Sequence, residues 1–227
     1  MRRLLIAGAL ALGACSPEEA KAPGPVPAPA PAAIKPAATD VPAGAYRLDK
    51  AHASLNFRVD HMGMSHWTAR FTRFDATLDL DPKDPAKSSV TATIDPASLQ
   101  TNYPDPKTLD FDSQIEGKEF LDAPKFPQMT YRSTQVQLTG PNTARITGDL
   151  TLHGVTKPVV LEATFNGGYA KNAVDPSGSR VGLSAHGTLN RSAFGIGFGV
   201  PAPGTTMGVG DAVEVVIEAE FTRPAGK

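Results

Sequence analysis

Residues 213–221 read Val-Glu-Val-Val-Ile-Glu-Ala-Glu-Phe, and this stretch decides the fold class. Every second side chain is apolar, and three of the four residues between them are glutamates. Because a strand places alternate side chains on opposite faces, the stretch predicts a half-buried β-strand with one wet face. The same alternation recurs along the chain, in residues 55–59, 76–80, 90–94, 144–152, 159–165 and 181–185.

Turn-forming residues separate these segments, as at 81–85, 139–142 and 175–178. At least eight antiparallel strands in one domain predict a sandwich or a barrel, and only closure into a barrel removes every exposed edge. Residues 129–131 and 136–138 alternate in opposite phases, which predicts a bulge between them. We therefore expect an all-β domain of one of these two kinds. The interior of an eight-stranded barrel would be either filled by side chains or able to hold one small ligand.

Composition and charge exclude several classes of protein. The 227 residues carry 22 Lys+Arg against 23 Asp+Glu, so the chain lacks the basic footprint of a nucleic-acid binder. No apolar run reaches the roughly 20 residues that a membrane-spanning helix needs. The 21 Gly and 21 Pro favour strands and turns over helices. The single cysteine excludes an intramolecular disulfide and a structural zinc site built on cysteines.

Residues 1–14 predict an export signal, because a basic start precedes an apolar run that is too short for a permanent membrane helix. The run ends Leu-Gly-Ala-Cys at 12–15, which resembles the lipobox of bacterial lipoproteins, where the cysteine is acylated. Ser16 stands where an inner-membrane retention signal would be an aspartate. The resemblance implies an exported protein that Cys15 anchors to the outer membrane, facing the periplasm. A plain secretory signal followed by a chance cysteine is the alternative.

The next segment, residues 15–44, predicts a tether between this anchor and a folded domain at 45–227. Residues 16–44 hold eight prolines, and their larger apolar residues are Val26, Ile34 and Val41. Alternating Ala-Pro fixes φ and removes hydrogen-bond donors, so we expect an extended polyproline-II-like spacer of at most about 90 Å. A proline-rich ligand for a partner groove is the alternative.

Residues 108–120, Thr-Leu-Asp-Phe-Asp-Ser-Gln-Ile-Glu-Gly-Lys-Glu-Phe, depart from the strand pattern. Phe111 and Ile115 lie four apart, and Asp110 and Asp112 stand where acidic residues favour a helix start. We predict one short helix or irregular excursion here, with a lid as its candidate role.

Several short motifs, in order along the domain, resemble the YceI-like family, the bacterial polyisoprenoid-binding family of exported lipocalin-like barrels. They are Tyr46-Arg47-Leu48-Asp49 with His52, Ser54 and Phe57; Val59 with His61-Met62-Gly63; Phe71 with Phe74; Ile94-Asp95 with Ser98-Leu99 and Thr101; Glu119-Phe120-Leu121-Asp122-Ala123 with Phe126-Pro127; Gly148 with Leu150-Thr151-Leu152-His153-Gly154-Val155-Thr156 and Pro158-Val159; and Asn190-Arg191 with Phe194-Gly195. Residues 109–115 depart from the family's Arg-Asp-x-His-Leu stretch, so no contact of that histidine transfers to this chain.

The resemblance implies an all-β fold, an eight-stranded antiparallel lipocalin-like barrel with one short helix or lid excursion. It also implies that this barrel is non-catalytic and binds a long isoprenoid chain, a quinone or a similar amphiphile, without a further cofactor. Ten phenylalanines, Trp67 and four tyrosines can line an apolar slot without demanding hydrogen bonds. The implied partners are this lipid and the membrane that holds the anchor, and a homodimer is left open. The candidate ligand-binding residues are apolar, and core packing is the alternative for each of those that point inward. They are Phe57, Val59, Met62, Trp67, Phe71, Phe74, Phe111, Ile115, Phe120, Phe126, Tyr131, Leu152, Phe194, Phe198 and Met207.

The sequence is also compatible with two other classes of function. An envelope structural or interaction module would use the barrel only as a scaffold. A copper-binding protein would use His61 and His66 with Met62 and Met64 between them, although the spacing matches no strong metal signature. Enzyme motifs are lacking in the sequence: it holds no nucleophile elbow and no helical His-Glu-x-x-His. The glycines of 195–199 predict a wide connection between strands at the barrel rim.

Overall fold

In a computed structural model of the chain, residues 34–225 are described. They form one sheet of ten antiparallel strands and one short helix, α1, at Phe111–Glu116. The strands are β1 Gly44–His61, β2 Ser65–Phe71, β3 Phe74–Leu80, β4 Ser89–Ile94, β5 Leu99–Gln100, β6 Met129–Leu138, β7 Thr143–Leu152, β8 Val155–Tyr169, β9 Gly178–Asn190 and β10 Val209–Pro224. Short 3-10 turns lie at Pro85–Lys87, Pro96–Ser98 and Arg191–Phe194. No helix among these residues is long and apolar enough to cross a membrane.

The sheet closes on itself because β1 pairs with β10. β3 and β2 pair one after the other with the same edge of β1, and β4 and β5 pair with β3 and β2 in turn. β2 and β3 together therefore act as one bent strand of the wall, and β4 and β5 together act as the next one. The result is an eight-stranded antiparallel closed barrel, which confirms the predicted fold class.

The alternation in the sequence becomes an inner and an outer face. In β10, Ala219 and Phe221 are buried inside the barrel, whereas Glu218, on the opposite face of the strand, is exposed. The predicted bulge is also confirmed, because the pairing of β6 with β7 shifts register between Ser133 and Gln135. The predicted helical excursion is confirmed as α1, which Asp110 caps by accepting from the backbone N–H of Ser113.

The barrel has two unlike ends. One end, here called the loop end, carries the turns 62–64 and 153–154, the excursion 101–128 and the loop 191–208. The opposite end, here called the strap end, carries the turns 81–88, 139–142 and 170–177. Residues 34–43 also lie at the strap end, and we call them the strap.

The strap corrects the predicted tether, which was expected to run to residue 44 without contributing to a core. Val41 is only 3% exposed and packs in a core cluster with Tyr46 and Val181. Gly168 provides the space, because a Cβ built there would lie 2.8 Å from the Val41 side chain. Further along the strap, the backbone N–H of Ala37 donates to the Pro141 carbonyl at 2.9 Å. The rest of the predicted tether, the export signal and Cys15 lie outside the described residues.

β1 leaves the ladder between Leu48 and Ala53, and an ion-pair cluster on the outer face holds this displaced segment. Arg180 on β9 donates through Nη1 to Asp49 Oδ2 and to Glu220 Oε2, at 2.6 Å each. The Asp49 carboxylate also lies 2.9 Å from Nδ1 of His52. The hydrogen bond from Arg180 is the largest of the causes that lower the pKa of Asp49 to about 2.

Val41→Ala tests whether the strap belongs to the folded domain. The substitution removes two buried methyl groups and leaves a cavity, so we expect the free energy of unfolding to fall by about 2 kcal/mol in urea denaturation. Val174→Ala is the matched control, because Val174 is 96% exposed and should change stability little. Equal stability of the two variants would show that the strap does not pack on the barrel in solution.

Asp49→Asn tests the ion-pair cluster through its dependence on pH. The ordinary pKa of this carboxyl is 3.8 and the folded value is about 2, so its contribution to stability is complete above about pH 4 and is lost as pH falls toward 2. At pH 7 we expect the variant to be less stable than the wild type by about 1 kcal/mol, since both partners keep some solvent contact. The gap should shrink as the pH of the urea titration is lowered to 2.5. A gap that stays constant would contradict the assignment, and Asp79→Asn, an exposed carboxylate on β3, is the control.

Candidate functional site

The inner surface of the barrel is apolar but is not packed solid. Residues of the inward rows at mid-barrel, such as Leu55, Leu161, Val215 and Ile217, are only partly buried. Side chains that face the inside of a closed barrel can be accessible only if the barrel encloses open space. The chain therefore builds a lumen with an apolar lining.

At the strap end, this lining surrounds a cavity of about 120 Å³. Leu78, Leu80, Phe165 and Leu183 contribute apolar walls, and residues 36–39 of the strap cover part of it. Its volume approaches that of an apolar cavity of about 150 Å³ known to hold a benzene molecule. The cavity can therefore accommodate a compact hydrocarbon group.

A second space, here called the wall groove, has a volume of about 630 Å³ and opens in the side of the barrel. It lies where the displaced segment of β1 separates from the junction of β2 and β3. Leu55, Phe71, Phe74 and Ile94 form its apolar floor. Phe74 packs against both core clusters, so the floor of the groove lies between the two halves of the interior.

The rim of the wall groove is polar and carries both signs of charge. Lys50 Nζ lies 2.9 Å from Asp75 Oδ2, and this ion pair lowers the pKa of Asp75. Arg73 Nη2 lies 2.8 Å from Asp95 Oδ2. Arg70 also borders the groove and donates to the side chain of Gln100. An apolar floor under a polar rim suits an amphiphile, a molecule with one hydrocarbon part and one polar part.

A chain of aromatic rings runs from the floor of the wall groove toward the loop end. Phe71 stacks on Phe57 with ring centroids 5.5 Å apart, and Phe57 meets Trp67 edge-on at 6.1 Å. Trp67 in turn contacts Phe111 of α1 at 5.5 Å. Hydrogen bonds hold the excursion in place near this contact, because Asp112 accepts from the backbone N–H and from the hydroxyl of Thr101. α1 thus lies over the inner aromatic residues, and its role as a lid stays a prediction.

The structure divides the fifteen candidate residues into four groups, and their roles as ligand contacts stay predictions. Inward residues with accessible surface are Phe57, Trp67, Phe71 and Phe74. Residues of the excursion that are partly buried are Phe111, Ile115 and Phe120. Buried core residues with little surface left for a ligand are Val59, Tyr131, Leu152 and Phe194. Residues at the rim of the loop end are Met62, Phe126, Phe198 and Met207.

Tyr131 shows how the barrel itself holds one of the buried candidates. Its ring fills the space over Gly148, where a Cβ would lie only 2.4 Å from it. Its hydroxyl donates to the carbonyls of Ile146 at 3.1 Å and Val159 at 3.4 Å. Burial raises the pKa of this phenol to about 12, so the group stays protonated as a donor.

Arg191 is a residue whose role sequence reasoning missed. It is 6% exposed, and its guanidinium donates to four backbone carbonyls, of Ile196, Phe198, Val209 and Gly210. Burial lowers its pKa. The Asn-Arg motif marked this position, but only the fold shows that the side chain fixes the loop 191–208.

The residues suggested for metal binding do not converge. The register of β1 with β2 places His61 in the inward row and His66 in the outward row, so the two imidazoles lie on opposite faces of the hairpin. Within residues 34–225, ligand atoms of Asp49, His52 and Glu220 do lie within 4.8 Å of one another. Arg180 already donates to both of those carboxylates and takes the place of a cation.

The chain is similar to curated bacterial proteins. A "UPF0312 protein" of Pseudomonas savastanoi pv. phaseolicola is 41% identical over 157 residues, which covers 68% of this chain and 77% of the relative. A "UPF0312 protein" of Pseudomonas putida is 40% identical over 167 residues, covering 72% of this chain and 80% of the relative.

Solved structures share the barrel. Burkholderia cenocepacia BcnA superposes with a TM-score of 0.62 at 26% identity, covering 76% of this chain and 98% of that one. A YCEI protein of Campylobacter jejuni gives 0.59 at 26% identity, covering 78% and 97%. A polyisoprenoid binding domain of Saccharophagus degradans gives 0.57 at 13% identity, covering 79% and 98%. Residues 46–221, nearly the whole barrel, match the YceI-like domain, and the chain therefore belongs to the YceI-like family.

Proposed function

We propose that this protein is an exported, membrane-tethered binding protein that holds a polyisoprenoid or a similar long-chain amphiphile, such as a quinone, inside its barrel. The observation that carries the proposal is the accessible apolar lining of the lumen, to which Leu55, Leu161, Val215 and Ile217 contribute. A hydrocarbon chain needs no hydrogen-bond partners, and this lining offers few. The proposed role is binding and carriage without catalysis.

The same physical chemistry favours a carrier over a permanent sink. Removing a hydrocarbon from water is favourable by about 0.8 kcal/mol for each CH₂-sized group. A lipid chain already gains this energy in a bilayer, so transfer from bilayer to barrel is near balance. Fit to the lumen then decides binding, and the ligand can be released again.

The wall groove is the proposed place of entry, because its two parts match the two parts of an amphiphile. The chain would cross the floor at Phe71 and Phe74 and continue into the lumen, while the head would stay at the rim beside Lys50 and Arg73. The cavity at the strap end would accept the far end of the chain. The polyisoprenoid binding domain of Saccharophagus degradans, which has the same fold, makes isoprenoid lipids the first ligand class to test.

The anchor belongs to this proposal as well. A multiply acylated Cys15 would hold the protein on the outer membrane and keep the lumen close to a lipid source. A tether raises the effective concentration of the pocket at the membrane surface without adding any contact to the ligand.

The second candidate function is an envelope interaction module without a ligand. It is favoured by the tight packing of Tyr131, Leu152, Val159 and Phe194, which fill part of the interior as an ordinary core does. This function predicts clean lipid extracts and protein partners in affinity capture.

The two candidates differ in what the purified protein contains. We expect residues 16–227, which include the whole compact unit, to carry a prenyl-chain lipid near one molecule per chain when exported behind a cleavable signal. Ala185 points into the lumen from β9, so Ala185→Trp should fill the space and reduce the extracted lipid by about tenfold or more. The measurement is mass spectrometry of organic extracts, normalised to protein.

His186→Trp is the matched control, because it adds an indole to the next residue of β9 on the exposed outer face. Both variants are checked by thermal unfolding, so that loss of lipid is not confused with loss of fold. Lipid-free wild-type protein that also fails to take up added polyprenyl phosphate would refute the proposal.

A further inference from the structure

Exposed apolar side chains are concentrated at one end of the barrel. Among the described residues, nine large apolar side chains are exposed, and six of them lie at the loop end. These six are Met62, Met64, Tyr103, Leu109, Phe198 and Met207. Met64 and Met207 are 73% and 75% exposed, which is unusual for such large apolar groups.

Four of these side chains, Met62, Met64, Phe198 and Met207, lie on neighbouring loop segments and are here called the apolar rim. The segment that carries Phe198 adjoins the one that carries Met207, because the backbone N–H of Val209 donates to the Gly199 carbonyl at 2.8 Å. The turn that carries Met62 and Met64 lies against the loop that carries Met207. The backbone N–H of Met62 donates to the Gly208 carbonyl at 2.9 Å, and a Cβ on Gly63 would lie 3.2 Å from the side chain of Thr206.

The loops that carry the apolar rim hold no charged side chain and are fixed in place, and beside them the Asp60 carboxylate accepts a hydrogen bond from the backbone N–H of Gly63 at 2.9 Å. Residues 195–208 contain no charged side chain, and neither does the turn 62–64. Arg191 supports the loop from beneath, because one of its hydrogen bonds reaches the Phe198 carbonyl at 2.8 Å. The Phe198 ring contacts Phe120 at 5.2 Å and still remains 49% exposed. These contacts hold the loop that carries Phe198 in a fixed position.

We propose that the apolar rim docks on the surface of a lipid bilayer. A surface that enters the acyl boundary of a membrane must not carry charges with it, and the rim meets this requirement over both of its loops. The uncharged loops therefore favour a bilayer as the occupant, and association with protein through the rim is the alternative that the test distinguishes.

The rim is also continuous with the interior of the barrel. Phe198 touches Phe120 of the excursion, and the excursion contacts the inner aromatic residues through Phe111 and Trp67. A bilayer in contact with the rim would therefore lie next to the excursion that covers the inner aromatic residues at the loop end. This biological purpose rests on the proposed function, whereas docking itself can be measured without it.

The test uses residues 16–227, which lack the anchor cysteine, with vesicles of phosphatidylethanolamine and phosphatidylglycerol in a flotation assay. We expect the wild type to float with the vesicles. The double variant Met64→Glu with Met207→Glu places two charges on the rim, so the bound fraction should fall by about tenfold or more. Both positions are exposed, so the fold should be unaffected, and thermal unfolding checks this.

Val174→Glu is the matched control, because Val174 is 96% exposed at the strap end and should leave vesicle binding unchanged. Three results would overturn the docking proposal: a wild type that does not float, equal losses in the rim and control variants, or a rim-dependent dimer that ignores vesicles. Lipid extraction separates this proposal from the function above. Wild-type protein that carries lipid but does not float would refute docking alone, and protein that floats but carries no lipid would refute only the carrier.

Discussion

The inward side chains of a closed barrel share one enclosed space, and in this chain they do not fill it. Alternation places Leu55, Phe57, Val215 and Ile217 on the inner face of the sheet. Because the sheet is closed, these side chains can pack only against one another. Packed protein interiors normally leave few voids larger than a water molecule, so an accessible apolar lining is a costly arrangement for a protein that only needs a core. A ligand with a long hydrocarbon chain would supply the contacts that these residues lack.

The wall groove exists because one segment of β1 leaves the ladder. β1 separates from β2 and β3 over the segment after Leu48, and ion pairs hold the segment from both sides. Arg180 binds Asp49 on one side, and Asp75 pairs with Lys50 on the other. Bulges in barrels commonly stand next to functional sites, because they break the ladder without opening the sheet. Here the break exposes the apolar floor of the wall groove.

Much of the fold was predictable, since period-two alternation depends only on neighbours along the chain. The alternating strands, the bulge in β6 and α1 all follow from local patterns. Closure depends on the distant pairing of β1 with β10, so the pattern left a sandwich or a barrel open and the family resemblance implied the barrel. The burial of Val41 could not be predicted in this way, because the gap over Gly168 exists only once β8 is in place. The displaced segment of β1 did leave a signal: inward residues have even numbers up to Leu48 and odd numbers from Ala53 onward. Contacts such as that of Arg191 with four carbonyls need the folded loop and leave no pattern in sequence.

The pairing of β1 with β10 has a consequence for how the molecule comes into being. The first and last strands of the sheet are neighbours, so a chain that is still being synthesised has no closed sheet until β10 is available to pair with β1. Contacts between such distant segments are slow to form, and partly synthesised sheets expose edges that can aggregate. A polypeptide synthesised only as far as β9 therefore leaves one edge of β1 and one edge of β9 unpaired, and β10 covers both when it joins the sheet.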